Sequence, residues 1–463
     1  MIPGSTINVL RSQRVLCGND ICPAVILIKD GKIKSILPET ALTLDAGETE
    51  KVVDVGSKLI IPGIIDCHVH VNEPGRTTWE GYWTATQAAA AGGVTTIVDM
   101  PLNSIPPTTT LENLRDKIQA AEGKCFVDTA FWGGVVPGNH WELRPMIKAG
   151  VVGFKCFLIH SGVDEFPHVT DSDLHVTLEQ LKGTGSVLLV SPLLSNFSTS
   201  DPCEYSTFLR SRPDTMEMEA IRTVTQLCLR YQVRCHIVHL SSAQALGLIQ
   251  EARLAGAPLT VETTHHYLTL CAENIPPRAT QFKCCPPIRG KANQEQLWSA
   301  LKSGLIDMVV SDHSPCIPDL KTLQTGDFFQ AWGGISSLQL GLSLFWTTAS
   351  NKGFSVLDMV RLLCQKPAEL CCLDNQKGSL SPGHDADLVI WDPDDEFEVK
   401  DANIFHKNKL TPYLGCKLRG VVYATVVRGK IVYSQGSFSP QPLGKHLFIT
   451  QPQANEEQSS FAS

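Results

Sequence analysis

Eight apolar, β-branched runs alternate with segments of helical length through the middle of this chain, and that alternation limits the fold more than any other feature. The runs are Leu59–His70, Val94–Asp99, Phe126–Val135, Val151–Leu158, Ser186–Ser191, Val233–Leu240, Leu259–Thr264 and Ile306–Asp312. Between them lie helix candidates such as Trp79–Ala91, Leu111–Glu122, Leu174–Lys182, Met216–Tyr231, Ala243–Ala255 and Gln294–Ser303. Strands covered by helices on both faces read as continuous apolar runs, and helical crossovers make their sheet parallel. Eight such units over about 260 residues predict an α/β fold, a (β/α)8 barrel of TIM type. A doubly wound open sheet is the alternative, but no glycine-rich phosphate-binding fingerprint follows any of the runs.

Two β-textured flanks enclose this stretch. Short alternating runs broken by turns occupy residues 1–58, among them Ile7–Leu16, Ala24–Lys29, Ile33–Ile36 and Val52–Val55. The texture returns in Ala386–Trp391, Gly420–Val427 and Ile431–Tyr433. Neither flank is large enough for a core of its own, so 1–58 and 384–435 are expected to pair into one small β domain beside a barrel spanning 59–383. Beyond it the composition turns polar, and 436–463 reads as a loose tail.

Composition narrows the partners. With 39 basic and 47 acidic residues the net charge is −8, which disfavours a nucleic-acid partner. No run is long enough for a membrane helix, so no membrane partner is expected. The 16 cysteines are scattered without C-x-x-C spacing and read as reduced, buried small hydrophobes. The first residues lack the basic flank and apolar core of a secretory signal, which predicts an intracellular protein, cytoplasmic or organellar, with mitochondria and peroxisomes included.

Barrels of this type carry their chemistry at the C-terminal ends of the strands. The first run ends His68-Val69-His70, and residues two apart on a strand share a face, so two imidazoles point together as a clamp for a divalent metal. The fourth carries Lys155 among apolar neighbours. A lone buried ammonium must be paired, deprotonated or modified, unless its head snorkels to the rim. His239 closes the sixth run, with His236 three residues earlier and expected on the opposite side; His265 and His266 follow the seventh; Asp312 closes the eighth. His, His, Lys, His and Asp at the ends of strands one, four, six and eight predict a metallohydrolase mouth.

The sequence resembles the amidohydrolase superfamily, and within it allantoinases, over about residues 5–435. Its most specific segments are Pro62 to Arg76, Asp99-Met100-Pro101-Leu102-Asn103, Gly153-Phe154-Lys155-Cys156-Phe157 and Ser311-Asp312-His313-Ser314-Pro315. The resemblance implies hydrolysis of the cyclic amide of allantoin to allantoate, by two zinc ions bridged through a carbamylated lysine. It implies that His68, His70, Lys155 and Asp312 hold the first metal, and that Lys155, His239 and one further histidine hold the second. It also implies that Asp312 is the catalytic base and acid, that Asn103, Arg76 and Ser314 hold substrate, and that the assembly is a homotetramer. Glu73 and His313 are candidates for orienting the ligands.

One ligand is missing from that pattern. The further histidine should close strand five, where this chain has Ser191 followed by Pro192, and no histidine lies between His175 and His236. The second metal would keep only Lys155 and His239, so its affinity should fall sharply. A non-catalytic or weakly active scaffold is therefore one alternative reading, and another cyclic amidase, a dihydropyrimidinase or hydantoinase, is a second. Against the siblings, Asn72 stands where dihydroorotases carry an Arg for a substrate carboxylate, and His160 where dihydropyrimidinases carry a Tyr. Both favour allantoin, which has no fixed charge.

Overall fold

Gly63 marks the point at which the chain passes from one sheet into another. In the computed structural model, which describes residues 1–41, 52–191 and 201–451, the expected run Leu59–His70 is two strands, Leu59–Pro62 and Ile64–Val69. Gly63 N donates to Asp387 O and Ile64 N to Gly93 O, so the backbone bonds change partner at this residue. A Cβ on Gly63 would sit 2.0 Å from Thr95 Oγ1, and only glycine lets the two sheets meet here.

Leu59–Pro62 is the strand that joins the flanks. It pairs parallel with Val9–Cys17 and antiparallel with Leu388–Glu398. The sheet continues on one side through Asp20–Lys29 and Lys32–Pro38, and on the other through Lys417–Val427 and Lys430–Ser434. Both flanks thus share one sheet and one apolar layer, which includes Leu10, Ile26, Ile60, Leu388 and Val426.

From Ile64 onward the strands are parallel. Ile64–Val69, Val94–Asp99 and Asp128–Phe131 pair in order. Gly153–Phe157, Val187–Ser191, Arg234–Ile237, Leu259–Thr264 and Met308–Val310 follow in order. Val152 N donates to Phe131 O, and Phe154 lies opposite Gly133, which joins the third strand to the fourth. Val69 bridges His313 in parallel and His70 N donates to His313 O at 2.8 Å, which joins the eighth strand to the first. The result is a closed eight-stranded barrel among the described residues. Helices follow the strands with local start signals: Thr110 accepts from Asn113 N at the head of Leu111–Ala121, and Thr170 forms a capping box with Asp173 at the head of Asp171–Leu181.

The tail departs from its expected looseness. Ser437–Phe438 adds to Lys430–Ser434, Gly444 N donates to Cys125 O, and Thr129 exchanges backbone bonds with Lys445 and Leu447. Ile449 N and Gln451 Nε2 reach Gly150 and Val152 carbonyls, so the chain is docked on the barrel as far as Gln451. Polar composition concealed this because the tail is held by backbone bonds, which any residue can make. Residues 452–463 lie outside the described residues, as do 192–200.

A buried lysine staples the two sheets. Lys377 Nζ lies 2.6 Å from Asp387, 2.8 Å from Asp128 and 3.0 Å from Asp385, with Arg428 also on Asp128. Asp128 opens the third barrel strand, whereas Asp385 and Asp387 lead into the β domain. Among the described residues, no helix is long and apolar enough to cross a membrane.

Candidate metal centre

His68 and His70 leave the end of the first strand with their rings 5.5 Å apart, and Asp312 meets them from the eighth. Asp312 Oδ1 is 3.1 Å from His68 Nε2 and 3.5 Å from His70 Nε2. The partner on each ring's other nitrogen sets its tautomer. His68 Nδ1 faces Glu262 Oε1 at 2.5 Å and His70 Nδ1 faces Leu102 O at 2.7 Å. Both partners accept only, so each Nδ1 carries a proton and each Nε2 faces Asp312. Burial opposes a charged His68, but the carboxylates of Asp312 and Glu262 outweigh it and raise His68 above its ordinary value.

Burial supports the same donor set. It lowers His70 to about 4, leaving a neutral imidazole. Burial opposes the charged form of Asp312, but His68 outweighs it and holds the carboxyl well below its usual range. Donor atoms of His68, His70 and Asp312 lie within 4.8 Å of one another, all buried. Two imidazoles and one carboxylate aimed at one point fit a divalent cation, which would take the place of the proton on His68 Nε2. Asp128, Asp385 and Asp387 also bring their carboxylates together, but Lys377 already fills the space between them.

Lys155 completes the cluster from the fourth strand. Its Nζ is 3.0 Å from His68 Nε2, and among the described residues no carboxylate lies within ion-pair distance. Burial lowers its ammonium to about 8, so part of it is neutral amine near physiological pH.

His239 follows the sixth strand, its ring 5.5 Å from that of His68. The strand ends at Ile237 and His239 takes a φ of 40°, a left-handed turn that breaks the two-residue alternation. For that reason His236 is not on the opposite side, as alternation implied. His236 Nε2 and His68 Nδ1 bind the two oxygens of Glu262, which also accepts from His239 N. Asp312 likewise has a positive φ, 44°, and such strain concentrates at functional sites. Burial lowers His239 to about 3. Ser191 ends the fifth strand with its Oγ 3.2 Å from His239 Nε2. The residues after it, from Pro192, lie outside the described residues.

Glu262 is the group that inspection of the sequence missed. It sits in Leu259–Thr264, where Val-Glu-Thr reads as alternation with a polar outer face, yet it is fully buried. A carboxylate inside a strand that must be covered on both faces was the available signal.

A cavity of about 400 Å³ opens over the cluster, lined by His70, Lys155, His239, Asp312, Asn103 and Ser314 among others. Asn103 Nδ2 donates to Asn72 Oδ1 at 3.2 Å. Arg76 does not line the cavity: it donates to Asn103 O, pairs with Glu165 and stacks on Trp79. Glu73 binds Tyr82 N and Lys124. His313 donates to Glu80 and accepts from Ser337 N. Neither touches a donor of the cluster by its side chain.

A closed parallel barrel with imidazoles, a lysine and an aspartate at the C-terminal rim defines a metal-dependent hydrolase architecture. The Amidohydrolase family model matches residues 59–185 and 216–432, and the chain belongs to that family. Its similar relatives include allantoinases. The mitochondrial allantoinase of Aquarana catesbeiana is 60% identical over 375 residues, 80% of this chain and 77% of that one. The allantoinase of Streptomyces avermitilis is 47% identical over 95% of this chain and 98% of its own, and that of Saccharomyces cerevisiae 45% over 95% and 98%. Among solved structures, the L-hydantoinase (dihydropyrimidinase) of Arthrobacter aurescens superposes with a TM-score of 0.88 at 30% identity, over 96% of this chain and all of that one. The family match breaks between residues 185 and 216, a gap that contains Ser191.

Proposed function

We propose that this chain hydrolyses the cyclic amide of allantoin to allantoate. The observation that carries the reading is the convergence of His68, His70, Lys155 and Asp312 beneath one cavity, in a chain 60% identical to an allantoinase. His68, His70 and Asp312 would hold a divalent cation, zinc by the resemblance. A divalent cation held there supplies an activated water at neutral pH and polarises the amide carbonyl. Asp312 takes the proton from the attacking water and passes it to the departing ring nitrogen, base first and then acid. Lys155 serves as a carbamate: its neutral amine attacks CO2, an N–C bond forms as one C=O π bond opens to C–O⁻, the nitrogen releases a proton to solvent, and an anion stands beside His68 in place of the amine. Asn103 and Ser314 contact the ring from the cavity wall, and Arg76 acts one layer behind by holding the Asn103 carbonyl.

A second cation would have Lys155 and His239 but no imidazole at Ser191. Hydroxyls are weak zinc ligands beside imidazole, so one tight cation per chain is the occupancy this reading assigns. The scaffold alternative is disfavoured because four buried polar groups cost stability unless a ligand satisfies them. The working assembly is a homotetramer, as the resemblance implies. The domain division is a β unit from 1–62 and 384–438 beside a barrel that begins at Ile64 rather than at 59, because Leu59–Pro62 pairs with the flank strands. An intracellular, organellar setting is supported by the mitochondrial relative.

The test is a steady-state assay with allantoin, hydantoin and dihydroorotate, alongside metal counting on the same sample. Preferred turnover of allantoin with about one tightly bound zinc per chain is expected. No turnover of a metal-loaded chain would reject the hydrolase reading in favour of a scaffold.

A further inference from the structure

The cavity over the cluster carries two cations that the chemistry above does not use. Arg212 and Lys283 line it, flanking the Phe208 ring at 4.4 and 5.3 Å from its centre. Neither forms an ion pair among the described residues. Arg212 spends Nη1 on Ser211 Oγ at 2.8 Å, while its Nε is buried without a partner. Lys283 gives two protons to the carbonyls of Phe329 and Ala331, which leaves a third. Asp327, whose field reaches Lys283, is engaged by the N–H groups of Phe329 and Gln330. Lys321, directly behind, exhausts its three protons on the carbonyls of Lys283, Trp332 and Gly334. Burial lowers Lys283 to about 8, so it is still mainly charged at neutral pH.

A buried donor without an acceptor costs folding stability, and a charged one costs more. A neutral cyclic amide gives two such cations little reason to be there. Ring opening changes that, because hydrolysis turns a neutral carbonyl into a carboxylate inside this same cavity. We propose that Arg212 and Lys283 form a carboxylate subsite that holds the acid group of the ring-opened ureido product. The proposal rests on the cyclic-amide reading for its ligand. It makes Arg212 and Lys283 groups that bind product more strongly than substrate, and so sets how strongly product inhibits.

N-carbamoylglycine, a ureido acid, is the probe. Its binding to the zinc-loaded chain is measured by calorimetry, and its inhibition of allantoin turnover by steady-state kinetics, for wild type, Arg212→Gln and Arg212→Lys. Loss of a charge-assisted hydrogen bond should weaken the acid by about tenfold or more in Arg212→Gln, and Arg212→Lys should recover part of it. KM for allantoin should move much less. Equal losses for acid and neutral substrate, or no loss for the acid, would overturn the subsite. Where Arg212→Gln fails to fold, the wild type stripped of metal is titrated with N-carbamoylglycine and with its neutral amide. A preference for the acid is expected, and equal binding would overturn the proposal. Binding needs no turnover, so a chain that binds the acid through Arg212 but leaves allantoin intact would reject the allantoinase reading and keep the subsite.

Discussion

Replacing Glu262 with Gln changes one oxygen to an amide nitrogen at the centre of the imidazole network. Oε1 would still accept from His68 Nδ1, now at 2.5 Å, and from His239 N, now at 3.1 Å. The new amide would face His236 Nε2, now 3.0 Å from Oε2. His236 can accept there by moving its proton to Nδ1, which already lies 2.7 Å from Thr260 Oγ1. Packing and hydrogen bonds are thus retained and only the negative charge behind His68 is lost. Such a carboxylate raises the basicity of the imidazole it holds, and removing it typically costs about 10–100-fold in metal affinity, roughly 1.4–2.7 kcal/mol. The assay is a zinc titration of stripped protein against a chromogenic chelator, with a thermal melt to confirm the fold. An unchanged zinc affinity in a folded Glu262→Gln variant would refute the argument that Glu262 sets the ligand strength of His68.

Four further outcomes are expected. Removal of metal by a strong chelator should abolish turnover and zinc should restore it; bound zinc should stay below two per chain, and Ser191→His should raise the count, whereas two tightly held ions in the wild type would show that Ser191 is no obstacle. Lys377→Met leaves Asp128, Asp385 and Asp387 buried together, and breaking such a pair costs about 3–5 kcal/mol, visible as a large drop in Tm; a change within error would show that the staple carries no load. Burial lowers His406 to about 4 from its ordinary 6.5, and both its nitrogens lack partners, so the unfolded chain takes up this proton first. The stability of the neutral form is therefore complete above about pH 6.5 and lost as pH falls toward 4; His406→Phe should flatten that decline in denaturant melts, and an identical decline would count against it.

The barrel was legible because its strands are covered on both faces, which leaves continuous apolar runs whatever the neighbouring loops do. The flanks were legible for the complementary reason, alternation with turns. What alternation and apolarity could not locate was a change of partner within one run. Leu59–Pro62 and Ile64–Val69 are equally apolar, and only Gly63, whose missing Cβ admits Thr95, separates a strand of one sheet from a strand of the other. Short helices such as Leu143–Ala149 escaped as well, since two turns give little periodicity. Gly341–Ala349 is apolar almost all round, so it shows no face to find.

The centre divides along the same physical line. His68 and His70 are two apart on a true strand, so their common direction follows from the pleat. His236 and His239 are three apart, and parity would separate them, yet a left-handed residue after Ile237 puts both on one carboxylate. Glu262 makes this possible and has no neighbouring motif to announce it. Its importance arises only when strands one, six and seven close on each other. Ser191 is the reverse case. Its identity was plain from the sequence, and the structure adds that its hydroxyl stands 3.2 Å from His239 Nε2, at the strand end where the resemblance leads one to expect an imidazole. A hydroxyl there can donate to the lone pair of His239 Nε2, so any cation approaching that nitrogen must first displace this bond. The strength of a second ion therefore depends on two terms at once, a ligand lost and a competing donor gained.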